Sequence, residues 1–209
     1  MKIITIIVGP VQTNTYICYN KTTRRGFIVD PGAEADKLLA RISAEGLDIC
    51  AILFTHGHFD HICAVNEVKA ALGAKVYASK KEAALANDKT ANGMKSFGVP
   101  AISTDVDEFL SEGDVVDFGC GEIQVLSTPG HTHGHLCFYL PHENVIFTGD
   151  TLFHESYGRY DFPTGDFATL KQSLTRLFEL PAQTRVYPGH DQPTTIGHEA
   201  VHNPIVRGL

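Results

Sequence analysis

The sequence has no run of basic residues. Its 209 residues hold 17 lysines and arginines against 24 aspartates and glutamates, for a formal net charge of −7. A nucleic-acid partner is not expected, because such a surface needs clustered cations. The acidic balance repels polyanions in general but leaves room for a small anion at a local arginine. No apolar stretch approaches the ~20 residues of a membrane-spanning helix. Residues 1–8 are apolar but too short for a secretion signal, with little positive charge before them. There is no Cys-x-x-Cys pair, and the cysteine count of five is odd. That argues against a disulfide framework or zinc ribbon and for reduced thiols. Repeats, low-complexity segments and linkers are also missing. These absences together predict a soluble, cytoplasmic chain that forms one domain over 1–209.

What the sequence has in unusual amount is histidine. Eleven occur, and seven of them fall in three short clusters closing at His61, His135 and His190. Histidine is the commonest metal ligand and a good acid or base, so the clustering calls for a chemical reason.

Short β-branched or aromatic runs bounded by turn residues predict strands over Lys2–Val8, Thr15–Tyr19, Gly26–Asp30, Cys50–Phe54 and Lys75–Ala78. Helical spacing appears over Ala35–Ala44 (Leu38, Leu39, Ile42) and over Ile62–Leu72, which stops at Gly73. Lys80–Asn87 is a further predicted helix. In the second half, Val115–Phe118, Ile123–Ser127, Leu136–Leu140, Val145–Thr148 and Arg185–Tyr187 read as strands. Phe167–Phe178 reads as a helix, and Gly197–Val206 as a closing one. Two groups of strands with helices between them predict an α+β fold of two packed sheets with helices outside.

His56, His131, Asp150 and His190 each follow a predicted strand, where rigid ends let loops carry chemistry. His56-x-His58-x-Asp60-His61 places four ligand-type residues in six positions. Neither a strand nor a helix puts all four on one face. A loop turning into the helix at Ile62 would aim His56 and His58 one way and Asp60 and His61 another. Two diverging pairs suit two neighbouring ions. His131 follows the Pro129-Gly130 turn, while His133 and His135 read as supporting donors or ordinary polar residues. Asp150 closes an apolar strand, where a carboxylate without a partner is costly. The count assigns His56, His58 and His131 to one metal, Asp60, His61 and His190 to the other, and Asp150 with a water to the bridge. Mixed nitrogen and oxygen ligands suit zinc, iron or manganese and do not choose among them; two divalent ions per chain are expected, zinc first, with iron or manganese as alternatives.

At these residues the chain resembles the metallo-β-lactamase fold superfamily. The resemblance implies a single-domain, four-layer αβ/βα sandwich with the site at one edge of the sheets. Within the superfamily the chain looks most like the short bacterial glyoxalase II enzymes, the hydroxyacylglutathione hydrolases. Thr128-Pro129-Gly130-His131-Thr132, Thr148-Gly149-Asp150-Thr151-Leu152-Phe153 and Gly158-Arg159-Tyr160-Asp161-Phe162-Pro163 carry that likeness. β-Lactamases of this fold are less similar, since they commonly place a cysteine where Asp150 stands. The resemblance implies hydrolysis of a small-molecule thioester such as S-lactoylglutathione by a metal-bridging hydroxide, with Asp60 as a catalytic residue orienting it. It also implies that Arg159 binds substrate; pairing with Asp161 is the alternative for that arginine. With the sequence ending at Leu209, the C-terminal helical domain with which longer glyoxalase II enzymes grip glutathione is not expected. The runner-up is a persulfide dioxygenase with one iron on His56, His131 and Asp150, and a non-catalytic scaffold ranks below it. Cys63 reads as a buried inert thiol, and His154 as a loop residue or a neighbour of the site.

Overall fold

Side-chain alternation along the strands decides how the layers stack. The computed structural model describes residues 1–100 and 102–208. β1 (Lys2–Val8), β2 (Thr13–Tyr19) and β3 (Arg25–Val29) form an antiparallel meander. α1 (Ala35–Ala44) crosses over to β4 (Asp48–Leu53), which pairs parallel with β3. The short α2 (Phe59–Ile62) and then α3 (Val65–Leu72) cross to β5 (Lys75–Ala78). α4 (Lys80–Ala86) and α5 (Met94–Phe97) precede β6 (Glu108–Phe109), the sixth strand of this sheet.

The second sheet starts with β7 (Val115–Asp117), β8 (Glu122–Ser127), β9 (Leu136–Leu140) and β10 (Val145–Gly149), all paired antiparallel. A hairpin, β11 (Leu152–Phe153) with β12 (Ser156–Tyr157), and α6 (Phe167–Leu177) then lead to β13 (Arg185–Pro188). β13 pairs parallel with β10, and β14 (Thr194–Thr195) extends the edge before α7 (Ile196–His202).

β2, β3, β4, β9 and β10 are almost wholly buried, because both faces of each sheet are covered. Tyr16, Cys18, Phe27, Val29, Ala51 and Leu53 face the second sheet and pack on Phe138, Leu140 and Phe147. Their alternates Ile17, Tyr19, Ile28 and Ile52 face outward and meet Leu38 and Ile42 of α1 and Val65 and Val68 of α3. On the far side, Cys137, Ile146 and Val186 are covered by Leu170, Leu174 and Leu177 of α6 and Ile196 of α7. The result is the helix–sheet–sheet–helix sandwich. None of the described helices is long and apolar enough to cross a membrane.

Two elements differ from the sequence expectation in an instructive way. The helix predicted over Ile62–Leu72 starts at Phe59 and breaks at Cys63-Ala64. The Ala64 N–H donates to the Pro31 carbonyl at 3.0 Å, leaving the Asp60 carbonyl packed against Gly32. This tertiary contact gives Asp60 and His61 their own one-turn helix. The closing helix ends at His202, because Pro204 forces extended backbone on Asn203 (φ −61°, ψ 134°) and a 3-10 turn over Pro204–Gly208 follows. α5, β6, β11, β12 and β14 have two to four residues each, too few to show a period.

Candidate metal centre

The C-terminal ends of β4, β10 and β13 and the loop after β8 open onto one edge of the sandwich. There the seven residues singled out in the sequence meet. His56, His58 and His131 have ligand atoms within 4.8 Å of one another, as do Asp60, His61 and His190. The His58 Nδ1 and His131 Nε2 atoms lie 2.9 Å apart. Two ligands of a tetrahedral ion at metal–nitrogen distances near ~2.1 Å would stand roughly 3.4 Å apart. Asp150 lies between the two sets. Its Oδ2 is 3.6 Å from both His131 Nε2 and His190 Nε2, and its Oδ1 is 3.4 Å from His61 Nε2.

Whether these residues fit metal ions is tested by their unused atoms. Among the described residues, seven buried side-chain polar atoms have no hydrogen-bond partner, and four of them belong to this cluster: His56 Nε2, His58 Nε2, His61 Nε2 and Asp150 Oδ1. Buried polar atoms are normally satisfied, so four orphans within one cluster of imidazoles and a carboxylate fit a site for cations. The donor set of imidazoles and carboxylates suits zinc, iron or manganese alike.

The opposite ring nitrogens of His56, His61 and His131 are held by the protein, which sets the direction of these three imidazoles. Thr55 Oγ1 lies 3.1 Å from His56 Nδ1, and Asp30 Oδ2 lies 2.9 Å from His61 Nδ1. The Arg159 carbonyl lies 2.6 Å from His131 Nδ1. Asp60 Oδ2 accepts from Thr13 Oγ1 at 3.0 Å. The His190 loop is gripped from the other sheet. Tyr16 Oη donates to the Pro188 carbonyl at 2.5 Å, and Asn14 Nδ2 donates to that carbonyl and to the Asp191 carbonyl. Two glycines are sterically required. A Cβ on Gly189 would strike Asp150 Oδ1, and one on Gly149 (φ +44°) would strike Thr55 Oγ1.

Three supporting residues escaped the sequence reading. Asp30 accepts from Thr55 N at 2.7 Å and from Thr55 Oγ1 at 2.8 Å while orienting His61. It ends the apolar run of β3, so the signal that picked out Asp150 was present there too. Thr13 opens β2 and left no signal. Glu82 of α4 accepts from Gly57 N (2.8 Å), Thr132 Oγ1 (2.8 Å) and Gly134 N (2.7 Å). It thereby ties the loop of His56 and His58 to the loop of His131. From sequence it looks like the acid of an N-terminal capping box with Ser79.

The remaining histidines divide. His135 is fully buried, accepts from Asp150 N at 3.1 Å and stacks on His56, so it positions both. His133 is exposed and away from the cluster. Burial, with the Asp60 charge adding to it, pushes the Cys63 thiol up to about 11, and such a thiol is inert at neutral pH. Arg159 lies on the pocket wall with its guanidinium paired to Asp161 through two 2.7 Å contacts and stacked 3.8 Å from the Phe162 ring. The arginine and Asp161 are thus paired as the alternative reading had it, and the unforeseen contribution is the Arg159 backbone carbonyl on His131.

Without metal, the cluster splits by charge. Burial drives His56, His131 and His135 below the usual imidazole range and His58 to about 3, assisted by neighbouring imidazoles. Burial also opposes charge on His61 and His190, but the carboxylates of Asp60 and Asp150 outweigh it and raise both. Asp60 is resisted by burial yet held at about 2 by His61 and His190, and Asp150 is lowered in the same way. The sign follows by linkage. A lowered histidine stabilises fully above its unfolded value of ~6.5 and loses that as pH falls. A raised histidine stabilises fully below ~6.5 and loses it as pH climbs through the folded value. The melting temperature of the metal-free protein is therefore expected to peak near pH ~6.5 and fall on both sides. Metal loading removes the alkaline limb, because bound ions replace those protons. Thermal scans across pH with and without chelator check this; an alkaline limb unchanged by metal would refute it.

An apolar cavity of about 360 Å³ opens over the cluster. Val11, Phe59, Phe97, Phe153 and Phe162 line it together with Asn92, Arg159, and the Asp60, Asp150, His58, His131 and His190 side chains.

A two-sheet sandwich with paired histidine–aspartate clusters at one edge defines a class of metal-binding hydrolase folds. This chain belongs to the metallo-beta-lactamase superfamily, whose model matches residues 8–190 and whose members are generally hydrolases. It is 34% identical to the hydroxyacylglutathione hydrolase GloC of Haemophilus influenzae, over 99% of this chain and 98% of the relative. Among solved structures it is similar to the BLEG-1 B3 metallo-beta-lactamase, with a TM-score of 0.94, 38% identity, and 98% and 99% of the two chains covered. It is also similar to TTHA1623 in a di-iron-bound form, with a TM-score of 0.85, 40% identity, and 96% and 98% covered.

Proposed function

We propose that the protein is a dinuclear metallohydrolase that cleaves a small-molecule thioester, of which S-lactoylglutathione is the first example to test. The observation that carries this reading is Asp150 Oδ2 standing 3.6 Å from a nitrogen of each ligand set, beneath an apolar cavity. Bound ions would supply an acidified water and a clamp for the oxygen that gains charge. His56, His58 and His131 would hold one, Asp60, His61 and His190 the other, and Asp150 both. Asp60, fixed by Thr13, orients the attacking water. The phenylalanine walls exclude bulk water and receive the acyl group, which strengthens every polar contact below them. Arg159 stands at the wall where a substrate carboxylate can share it with Asp161. A thiolate leaves readily, so the site needs no buried acid to protonate it. The GloC likeness supports the thioester; the di-iron neighbour keeps iron beside zinc as the native ion.

The 0.94 TM-score with a B3 metallo-beta-lactamase favours β-lactam hydrolysis as a second reading. Enzyme purified separately with zinc, iron and manganese, then assayed on S-lactoylglutathione and on a chromogenic cephalosporin, distinguishes the two. Thioester turnover well above β-lactam turnover is expected. The reverse order would replace the first reading with the second. Failure of both would turn attention to oxygen consumption with glutathione persulfide and a single iron on His56, His131 and Asp150.

A further inference from the structure

Beyond the main centre, one other group of described side chains has metal-ligand geometry. His154 and Glu155 form the turn of the β11–β12 hairpin, and His198 lies on α7. Their ligand atoms fall within 4.8 Å of one another and share no residue with the main centre. We propose that His154, Glu155 and His198 form a surface site for a divalent transition-metal ion, which clamps the hairpin to α7.

The site is built from two elements already held in register. Glu155 N donates to Glu199 Oε2 at 2.9 Å, and Asn203 Nδ2 donates to the Ser156 carbonyl at 2.8 Å. Glu199 is itself fully buried and fixed by Thr194 Oγ1 and Asn203 Nδ2. The turn is thus pinned before any ion arrives, and prefixed ligands bind more tightly than mobile ones. Glu155 adopts a φ of +49°, a region that glycine or asparagine enters more cheaply. A glutamate there brings its Oε1 to 3.0 Å from His198 Nε2. The His154 and His198 rings lie parallel, 5.2 Å apart at 14°, and the His202 ring continues the row 4.5 Å from His198. His198 and His202 are four residues apart and so share one face of α7. Glu199 Oε1 adds a second carboxylate 4.0 Å from His198 Nε2.

Imidazoles with one carboxylate select zinc, nickel or copper over magnesium or calcium, which prefer all-oxygen shells. The clamp bears on the main centre through chain continuity. The hairpin carries Phe153, which lines the active-site cavity with its ring 6.0 Å from that of His190.

The test uses untagged, metal-loaded enzyme and compares it with His154→Ala and His198→Ala by equilibrium dialysis against zinc with metal analysis of the bound fraction. His154→Ala removes a ligand but leaves the His198–Glu155 hydrogen bond in place, so its effect is not one of unfolding. The native protein is expected to bind one equivalent more than either variant. Copper added after loading should give an imidazole-coordinated paramagnetic signal that both variants lose. Because the reading is a difference between proteins, it does not depend on how many ions the main centre holds or on what it hydrolyses. Equal zinc content in the native protein and either variant would overturn the proposal and leave His198–Glu155 as a plain hydrogen-bonded pair.

Discussion

Replacing Asp150 by alanine is expected to lower thioester turnover by on the order of 10³-fold or more, about 4 kcal/mol of transition-state stabilisation. The size follows from its position. No other carboxylate in the centre lies 3.6 Å from a nitrogen of both ligand sets, His131 on one side and His190 on the other. On the proposed dinuclear reading, losing it would remove one ligand from each ion and the tie between them. The fold is expected to survive, because the Asp150 backbone N–H still donates to His135 and the layers rest on residues elsewhere. KM should change little, since Phe59, Phe97 and Phe162 are untouched, and kcat should carry the loss. Metal content should fall below that of the native enzyme. A variant with full metal content and native turnover would remove Asp150 from the mechanism.

Glu82→Ala is expected to be the most destabilising single change near the site, by about 3 kcal/mol or more. The carboxylate is fully buried and burial alone raises its pKa; three donors, Gly57 N, Thr132 Oγ1 and Gly134 N, oppose that. Alanine leaves all three without an acceptor. For a chain of this size the melting temperature should drop by roughly 6–12 °C. Metal affinity should fall too, because Gly57 lies between His56 and His58, and Thr132 and Gly134 flank the turn after His131. Glu82→Gln keeps one acceptor oxygen but turns an amide toward backbone donors, so an intermediate loss is expected. A shift of less than about 2 °C in the alanine variant would show that the two loops do not need this link.

Much of the site was legible because its chemistry is local. His56, His58, Asp60 and His61 lie within six residues after a buried strand, and no packing requirement puts four ligand types there. Asp150 and His190 were legible because each follows an apolar strand that fixes its position. The strand runs and the α6 and α1 faces were legible for a similar reason, since burial on one or both faces writes a period or an unbroken apolar run.

Tertiary structure decided what joins these pieces. The break at Cys63-Ala64 depends on the Pro31 carbonyl, some thirty residues away, capturing a helix donor. Asp30 and Glu82 act through hydrogen bonds to residues twenty-five or more positions distant. No spacing rule reaches that far. Arg159 is the clearest case. Its side chain drew attention as a cation, yet it is the backbone carbonyl that meets His131, and every residue has a carbonyl. The sequence by itself determined the inventory of ligand-type residues, the sheet-and-helix alternation and the lack of a basic run or a long apolar stretch. The fold alone determined which nitrogen of each histidine is held and which is left free. Asp30 reaches His61, and the Arg159 carbonyl reaches His131, from roughly thirty residues away along the chain, a separation that no short-range pattern encodes.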